Sequence, residues 1–421
     1  MKQPSMTRGI NSLVFRWQDL GVRVEAERYT DDLEAELSFY FRDGASSEVY
    51  LDTARVNLLS SSVKASMAKR LTKNVPDVNW ELILSAITEK VRTVARQGEP
   101  VQDIGKKPQH RRIDYLLWPI LEKNQPTTIY GPGGSGKSYI AAYIACLVQF
   151  DTMGTVGGHQ SWTPTQGNVL YLDWEASAET HQRRVWAIKE GLDIPNEETF
   201  WYRKCDQPLA NDIYNIQGLV SEFNIQLVII DSQMAAAGYG PDASQITQRY
   251  YNALRSLACT TLTLDHVSKE EWSKNSGEQS MGPYGSVSKF NRSRSQFEVR
   301  KSQEAEDDFI EMAFVHRKHN EGKLLKPMGI RINFMENEEG ELEKVICENS
   351  NLSDSAALFK VQSLKQQLID LLKRGPMDVK SISDDLEANE SSVRVALNRN
   401  KDTFIKLSDG KMAKWGIVTR G

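Results

Sequence analysis

Cysteine is scarce in these 421 residues: Cys146, Cys205, Cys259 and Cys347 lie far apart, and none forms a C-x-x-C pair able to clip a zinc ion. They read as reduced core thiols, and the expected setting is the cytoplasm. Long apolar runs are missing as well. The longest, Tyr139 to Phe150, is about a dozen residues against the roughly 18–20 that a spanning helix needs, so no membrane passage is expected. Met1 to Asn11 mixes Lys2 and Arg8 with polar residues and has no apolar h-region, which speaks against a secretory leader. Neither sign of charge dominates. A net charge of −4 leaves the partner open, because a local basic surface can hold phosphates on a mildly acidic chain.

What is present is the composition of an ordinary globular protein, 40% hydrophobic and 26% charged. At about 100–200 residues per domain the length predicts two to four domains. Val22, Val24 and Ala26 alternate with polar residues, and Leu37–Phe41 and Val49–Leu51 follow as further strands. The period then changes to helical over 63–71 and 80–94, with Pro76 between. Residues 1–105 are therefore expected to form a small α+β domain or appendage without evident chemistry. The basic stretch Lys106-Lys107 to Arg111-Arg112 is open to two readings, a solvated linker or a contact with nucleic acid or a subunit. It leads to an expected helix over Ile113–Leu121.

Between Pro126 and Phe334 short β runs alternate with helical stretches. The runs are Thr127–Tyr130, Asn168–Asp173, Leu227–Asp231, Thr260–Leu264 and Phe309–Val315, and their interleaving predicts parallel pairing and an α/β sheet. The domain built on this sheet is assigned to 106–345, with an acidic connector near Glu336–Glu343 and a separate module over 346–421.

One motif carries most of the chemistry. Gly131-Pro132-Gly133-Gly134-Ser135-Gly136-Lys137-Ser138 satisfies G-x-x-x-x-G-K-[ST], follows a strand and opens a helix with Ile140, Ile144 and Leu147 on its apolar face. Glycines let successive backbone N–H groups turn inward onto phosphate oxygens, and the helix N-terminus adds its positive dipole end. Lys137 is expected to reach the β- and γ-phosphates of ATP, and Ser138 to ligate Mg²⁺. Tyr139, next along the helix, completes the expected nucleotide-binding set.

Downstream, Ile225–Asp231 is an apolar strand ending in an acid, the form expected where Asp231 holds the magnesium. The strand Asn168–Asp173 runs into Trp174-Glu175. Hydrolysis needs a carboxylate that orients and deprotonates the attacking water, a job separate from holding the metal. Glu175 is the leading candidate; Asp173 is the competing base, and capping of the helix 176–189 is the other use for Glu175.

The order of P-loop, D-W-E strand, Asp231-Ser232 and Asp265-His266 resembles the RecA-like ATPases, and within them the RepA-type hexameric replicative helicases. The resemblance spans about 113–334, roughly half of the chain. His266 with Lys269, then Gly285-Ser286, Asn291 and Arg294, then Lys318-His319-Asn320, stand at that group's motif spacings. The likeness implies that His266 senses the γ-phosphate. It also implies that Arg317 and Lys318 are fingers reaching a neighbouring subunit's nucleotide, which requires a ring or filament of head-to-tail contacts between copies of the chain, a hexamer being the favoured expectation.

The resemblance further implies that the loop after His266 faces single-stranded DNA in the ring channel. There Lys269 and Lys274 would meet phosphates and Trp272 or Tyr284 would stack on bases, with Glu270 and Glu271 acting against this. The loop Ala235–Asp242 is a second candidate for the channel. The tail reads as three short helices, 364–373, 379–386 and 391–398, and a hairpin formed by 404–407 and 412–418 around Ser408-Asp409-Gly410. This resembles a winged helix. Ser391, Ser392, Arg394, Asn398 and Arg399 lie on polar positions of its third helix, and Lys411 and Lys414 on the wing, as for contacts with duplex DNA. Two functions follow as expectations: an ATP-driven helicase or translocase acting on DNA, or an ATP-gated DNA-binding loader or regulator that does not unwind.

Overall fold

Strict alternation of apolar and polar residues builds the first part of the chain. β1 (Ser5–Arg8), β2 (Ser12–Trp17), β3 (Val22–Glu27), β4 (Glu34–Phe41) and β5 (Val49–Asn57) pair consecutively into an antiparallel meander. Leu13, Phe15, Trp17, Val22, Val24, Ala26, Leu37 and Phe39 all point to one buried face, because the side-chain period of a strand is two. Onto that face pack α1 (Ser61–Asn74) and α2 (Trp80–Gln97), through Met67, Leu71, Ile83, Leu84, Ile87 and Val91. The sequence reading missed β1 and β2, although Leu13-x-Phe15-x-Trp17 shows the same alternation.

The computed structural model describes residues 3–8, 12–27, 29, 33–44, 47–97, 103–105, 112–156, 161–195, 197–267, 291–408 and 413–418. The chain divides into two compact units, residues 1–111 with 214–218, and residues 112–213 with 219–421. The basic stretch 106–111, the residues Lys269, Trp272, Lys274 and Tyr284 expected to face DNA, the motif residues Gly285 and Ser286, and Lys411, expected on a wing, lie outside the described residues.

Trp80 is the keystone of the first unit. Its ring meets Phe39 edge-on at 6.0 Å, and its indole N–H donates to the Val75 carbonyl at 3.0 Å from a fully buried position. Trp80→Phe is expected to lower stability by about 1–3 kcal/mol, since it leaves that buried acceptor without its donor. Chemical denaturation monitored by circular dichroism would measure the loss.

The second unit opens with β6 (Tyr115–Trp118) and β7 (Leu121–Glu122), which pair antiparallel across Pro119. This corrects the helix expected over 113–121. Proline inside that segment removes a backbone donor and clashes with the preceding turn, so the apolar run folds back as a hairpin.

Next come β8 (Pro126–Gly131), α3 (Lys137–Phe150), the short β9 (Thr163–Pro164), β10 (Asn168–Asp173), α4 (Ala178–Gly191), β11 (Trp201–Lys204), α5 (Leu209–Glu222) and β12 (Ile225–Asp231). They are followed by α6 (Gln233–Ala237), α7 (Ala243–Ser256), β13 (Thr260–His266), β14 (Ser295–Ser302), β15 (Phe309–His319), β16 (Met328–Glu336) and β17 (Leu342–Ser350). Among the described residues the strands form a nine-stranded sheet in the order β11-β10-β12-β13-β8-β14-β15-β16-β17. From β11 to β14 every pairing is parallel. The chain is thus an α/β protein with a largely parallel central sheet. Its central strands are buried on both faces, which is why they read as continuous apolar runs. α3 is buried nearly all round, from Ile140 to Val148, rather than along the single stripe expected.

The far side of the sheet departs from expectation. Phe309–Val315 was expected to pair in parallel, yet β15 runs antiparallel to β14 and continues through β16 and β17 as a meander. No helix separates these strands, and only a crossover of a dozen or more residues could bring the next one round in parallel. The acidic segment is no connector between domains but the hairpin turn between β16 and β17. Asn337 holds it by accepting from the N–H groups of Glu339 and Glu341 at 3.0 and 2.9 Å. The boundary expected at 345/346 therefore falls inside a strand, and the sheet ends at Ser350.

Beyond it lie α8 (Ala356–Phe359), α9 (Leu364–Leu372), β18 (Met377–Asp378), α10 (Val379–Leu386), α11 (Glu390–Arg399), β19 (Phe404–Lys406) and β20 (Lys414–Ile417). Leu368, Ile382, Val393, Leu397, Phe404 and Trp415 form a hydrophobic core of their own under the three-stranded sheet β18-β20-β19. Among the described residues no helix is long and apolar enough to cross a membrane.

Candidate functional site

The parallel register brings four sequence features to one edge of the sheet. Asp173 on β10 pairs with Asp231 on β12, Asp231 with Leu264 on β13, and His266 at the end of β13 with Gly131 at the end of β8. The C-terminal ends of parallel strands are where open α/β sheets bind ligands. Here they collect the P-loop, both acids and the histidine. β13 lies between the strand of Asp231 and the strand of the P-loop, so it has a neighbour's chemistry on either side.

The P-loop is built as a phosphate cradle. A Cβ on Gly131 would stand 2.6 Å from the Val299 carbonyl, and Gly136 sits at φ +84° with the Met312 side chain 2.7 Å from where its Cβ would be. The backbone carbonyl bars a larger residue at the first place, and the left-handed φ strains one at the second. Gly136 caps α3 without a side-chain hydrogen bond, which leaves the helix's first N–H groups for a ligand. The Ser135 hydroxyl is buried and has no hydrogen-bond partner among the described residues. Lys137 bends back to donate to the carbonyls of Gly131 and Pro132 at 2.9 and 2.7 Å. Open N–H groups, an orphaned buried hydroxyl and an inward ammonium together suit an anionic ligand of several oxygens.

Burial pulls Lys137 down from the usual lysine range to about 8, against Asp231, Glu175 and Asp265, which raise it. A depressed value means that the free protein loses this proton near pH 8, whereas a bound polyphosphate would retain it. Nucleotide affinity is therefore expected to be full below pH 8 and to fall by about tenfold per pH unit above it, until the value of the bound state is passed. Titration with a fluorescent ATP analogue from pH 6.5 to 10 would reveal the break.

Ser138 and Asp231 supply oxygen donors, the type that magnesium takes. Asp231 is nearly buried, and its Oδ2 accepts from the Tyr171 hydroxyl at 2.8 Å. Among the described residues no group of three His, Cys, Asp or Glu makes a metal cage.

The two candidate bases have opposite surroundings. Asp173 is fully buried, and its Oδ1 accepts from the backbone N–H groups of Glu175 and Ala176 at 2.9 and 3.1 Å. Its Oδ2 accepts from the Tyr202 hydroxyl at 2.9 Å, with His181 Nε2 at 3.5 Å and Lys204 Nζ at 3.7 Å. Burial would raise its pKa, but these donors together hold it well below the usual carboxylate range. Asp173 is a structural acceptor that fixes the backbone carrying Glu175.

Glu175 is 44% exposed at its side chain. Its Oε1 accepts from the Ser232 hydroxyl and lies 3.4 Å from His266 Nε2. The His266 contact first, and then Ser232, lowers its pKa against partial burial, so it stands ionised. It does not cap the following helix; Ser177 is the N-cap of α4.

The two expected fingers lie elsewhere in the chain. β15 pairs Lys318 with Gln296, and Gln296 pairs with Thr128, near the start of β8 and away from the P-loop. Arg317 falls where the register shifts, and a β-bulge of this kind re-aims a side chain. Its Nε donates to Glu298 Oε2 at 2.5 Å, and Lys318 Nζ donates to the carbonyls of Asn291 and Ser293 at 3.1 and 2.7 Å. Within one chain neither joins Lys137.

Three neighbours of the site escaped the sequence reading. Lys301, at the end of β14, has its ammonium 3.9 Å from where a Cβ of Gly134 would stand. Arg184 lies over the Tyr139 ring at 4.7 Å, and Tyr139 meets Phe334 edge-on at 5.0 Å. Tyr171 reaches Asp231 diagonally across the β10–β12 pairing. Such neighbours become visible only when strand order and register are known.

Residues 90–271 match the family model described as an AAA domain. The matched stretch contains the P-loop, Glu175, Asp231 and His266, and is similar to P-loop ATPase domains. Among solved structures the chain is similar to a KaiC-like protein from the hyperthermophilic archaeon Pyrococcus horikoshii OT3, at 13% identity and a TM-score of 0.36, over 56% of this chain and 98% of that one. The comparison with curated proteins gave no match.

Proposed function

We propose that this chain is a Mg²⁺-dependent ATPase of RecA/RepA-like type that assembles as a ring, in the simplest case a hexamer, and drives a helicase or translocase activity on DNA. One observation carries the reading: Lys137, Asp231, Glu175 and His266 share the C-terminal edge of four neighbouring parallel strands, and His266 touches Glu175. Lys137 and the P-loop amides bind the phosphates. Ser138 and Asp231 would hold magnesium, which neutralises the charge that develops on them. Glu175 takes a proton from water as the water oxygen bonds to the γ-phosphorus and the bond to the ADP oxygen breaks, leaving ADP and phosphate.

The strand that ends in His266 leads directly into 268–290, the stretch with Lys269, Trp272, Lys274 and Tyr284. A strand ending that touches the base on one side and leads on the other into the residues proposed to meet DNA would couple the two. Arg317 and Lys318, engaged by Glu298 and by backbone carbonyls in the single chain, would exchange these partners for a neighbour's nucleotide on assembly.

The second reading, an ATP-gated loader or regulator, is favoured by the C-terminal module. Ser391, Ser392, Arg394, Asn398 and Arg399 are all exposed on α11 while Val393 and Leu397 are buried, the arrangement of a helix free to enter a major groove. The two readings separate in one experiment that combines ATP turnover with and without single-stranded DNA and strand displacement from a forked duplex. DNA-stimulated turnover with displacement is the expected result. Stimulation without displacement in either polarity favours the loader, and turnover indifferent to both DNA forms overturns both readings.

A further inference from the structure

Ser232 stands where a helix begins, yet its side chain does not serve that helix. It is the N-cap residue of α6, a position at which serine ordinarily accepts from an N–H of the first turn. No such bond is made. The fully buried hydroxyl turns across the crevice instead and donates to Glu175 Oε1, the one hydrogen bond its side chain makes among the described residues. The same oxygen lies 3.4 Å from His266 Nε2, while Oε2 has no hydrogen-bond partner among the described residues.

A glutamate terminus rotates over a broad range about its last torsion, and a half-exposed one samples many positions unless something holds it. A base is useful only when one oxygen stays within reach of the water it deprotonates. Resting on the hydrolytic reading above, we propose that Ser232 is a positioning residue: with His266 it pins Oε1 of Glu175, so that Oε2 is the oxygen that receives the proton of the attacking water. The strand of Asp231 thereby serves the site twice, through the metal-holding acid and through the next residue, which aims the base on the neighbouring strand.

The test compares Ser232→Ala with Glu175→Gln and with the double variant, measuring kcat, the KM for ATP and the dependence on Mg²⁺. Ser232→Ala is expected to lower kcat by about ten- to a hundredfold, the range that one hydrogen bond to a charged group spans, with KM and the Mg²⁺ midpoint within about twofold of wild type. Added to Glu175→Gln it should cost nothing further, because the two act as a unit. Ser232→Cys keeps a weak donor of similar size and is expected to recover part of the loss; it also stands in should the alanine variant fail to fold.

An unchanged kcat in Ser232→Ala overturns the assignment, as do losses that multiply in the double variant, or a shifted Mg²⁺ midpoint that accounts for the whole loss through Asp231. Wild-type turnover and its disappearance in Glu175→Gln test the hydrolytic reading on its own. Failure there removes both, whereas an unimpaired serine variant beside a dead glutamine variant removes only the role given to Ser232.

Discussion

Glu175→Gln is expected to lower ATP turnover by about 10²–10⁴, the usual contribution of a positioned general base, while ATP binding stays within a few fold of wild type. The amide keeps the size of the carboxylate and can still meet Ser232 and His266, but it cannot accept the water's proton. Because Asp173 fixes the backbone at Glu175 and Ala176, the substitution should leave the local chain in place. Single-turnover quench with radiolabelled ATP, beside equilibrium binding of a fluorescent analogue, checks both halves. A glutamine variant that turns over at near the wild-type rate would move the base elsewhere. Asp173 is a poor replacement, since both of its oxygens are already occupied.

Lys137→Met should have an effect of similar size, but on a different step. Methionine keeps most of the aliphatic stem and loses the ammonium that donates to the carbonyls of Gly131 and Pro132. Removing a preorganised cation from a site of developing negative charge costs about 10²–10³ in turnover, and nucleotide affinity is expected to fall with it. The free protein should be no less stable, because a charge held at 6% exposure is already unfavourable, as the depressed pKa of about 8 records. Thermal unfolding with and without ATP and Mg²⁺ distinguishes these effects. The variant is expected to match wild type without nucleotide and to lose the upward shift in Tm that bound ligand gives. The break in affinity above pH 8 should vanish with the lysine.

Much of the site was legible because its signals are local. The P-loop is eight consecutive residues, and three of its glycines answer local demands: a Cβ on Gly131 would stand 2.6 Å from the Val299 carbonyl, and Gly134 and Gly136 hold positive φ. Buried parallel strands announce themselves as apolar runs, so β8, β10, β12 and β13 could be placed, and with them the acids at their ends. The helix Glu390–Arg399 was readable too, since Val393 and Leu397 repeat at helical spacing between exposed polar residues.

Errors arose where one residue outweighs the composition of its segment, or where a segment's structure depends on what lies beside it. The apolar run at 113–121 suits a helix by composition, and one proline turns it into a hairpin. Residues 309–350 form an antiparallel extension because each strand has a free edge beside it and too short a turn to cross over. No pattern within the strands themselves says so.

The sequence by itself determined that this protein has a phosphate-binding loop between a strand and a helix, an acid-ended strand downstream, and an α/β core to carry them. Strand order and register decided the rest, because they set which distant residues meet. They place His266 beside Gly131, surround Asp173 with donors, leave Glu175 one oxygen unengaged among the described residues, and turn Ser232 from its own helix toward that carboxylate. They also return Arg317 to Glu298. Hydrogen bonds act over about 3 Å, and two residues 57 or 91 positions apart come within that reach, or close to it, only when the chain has folded.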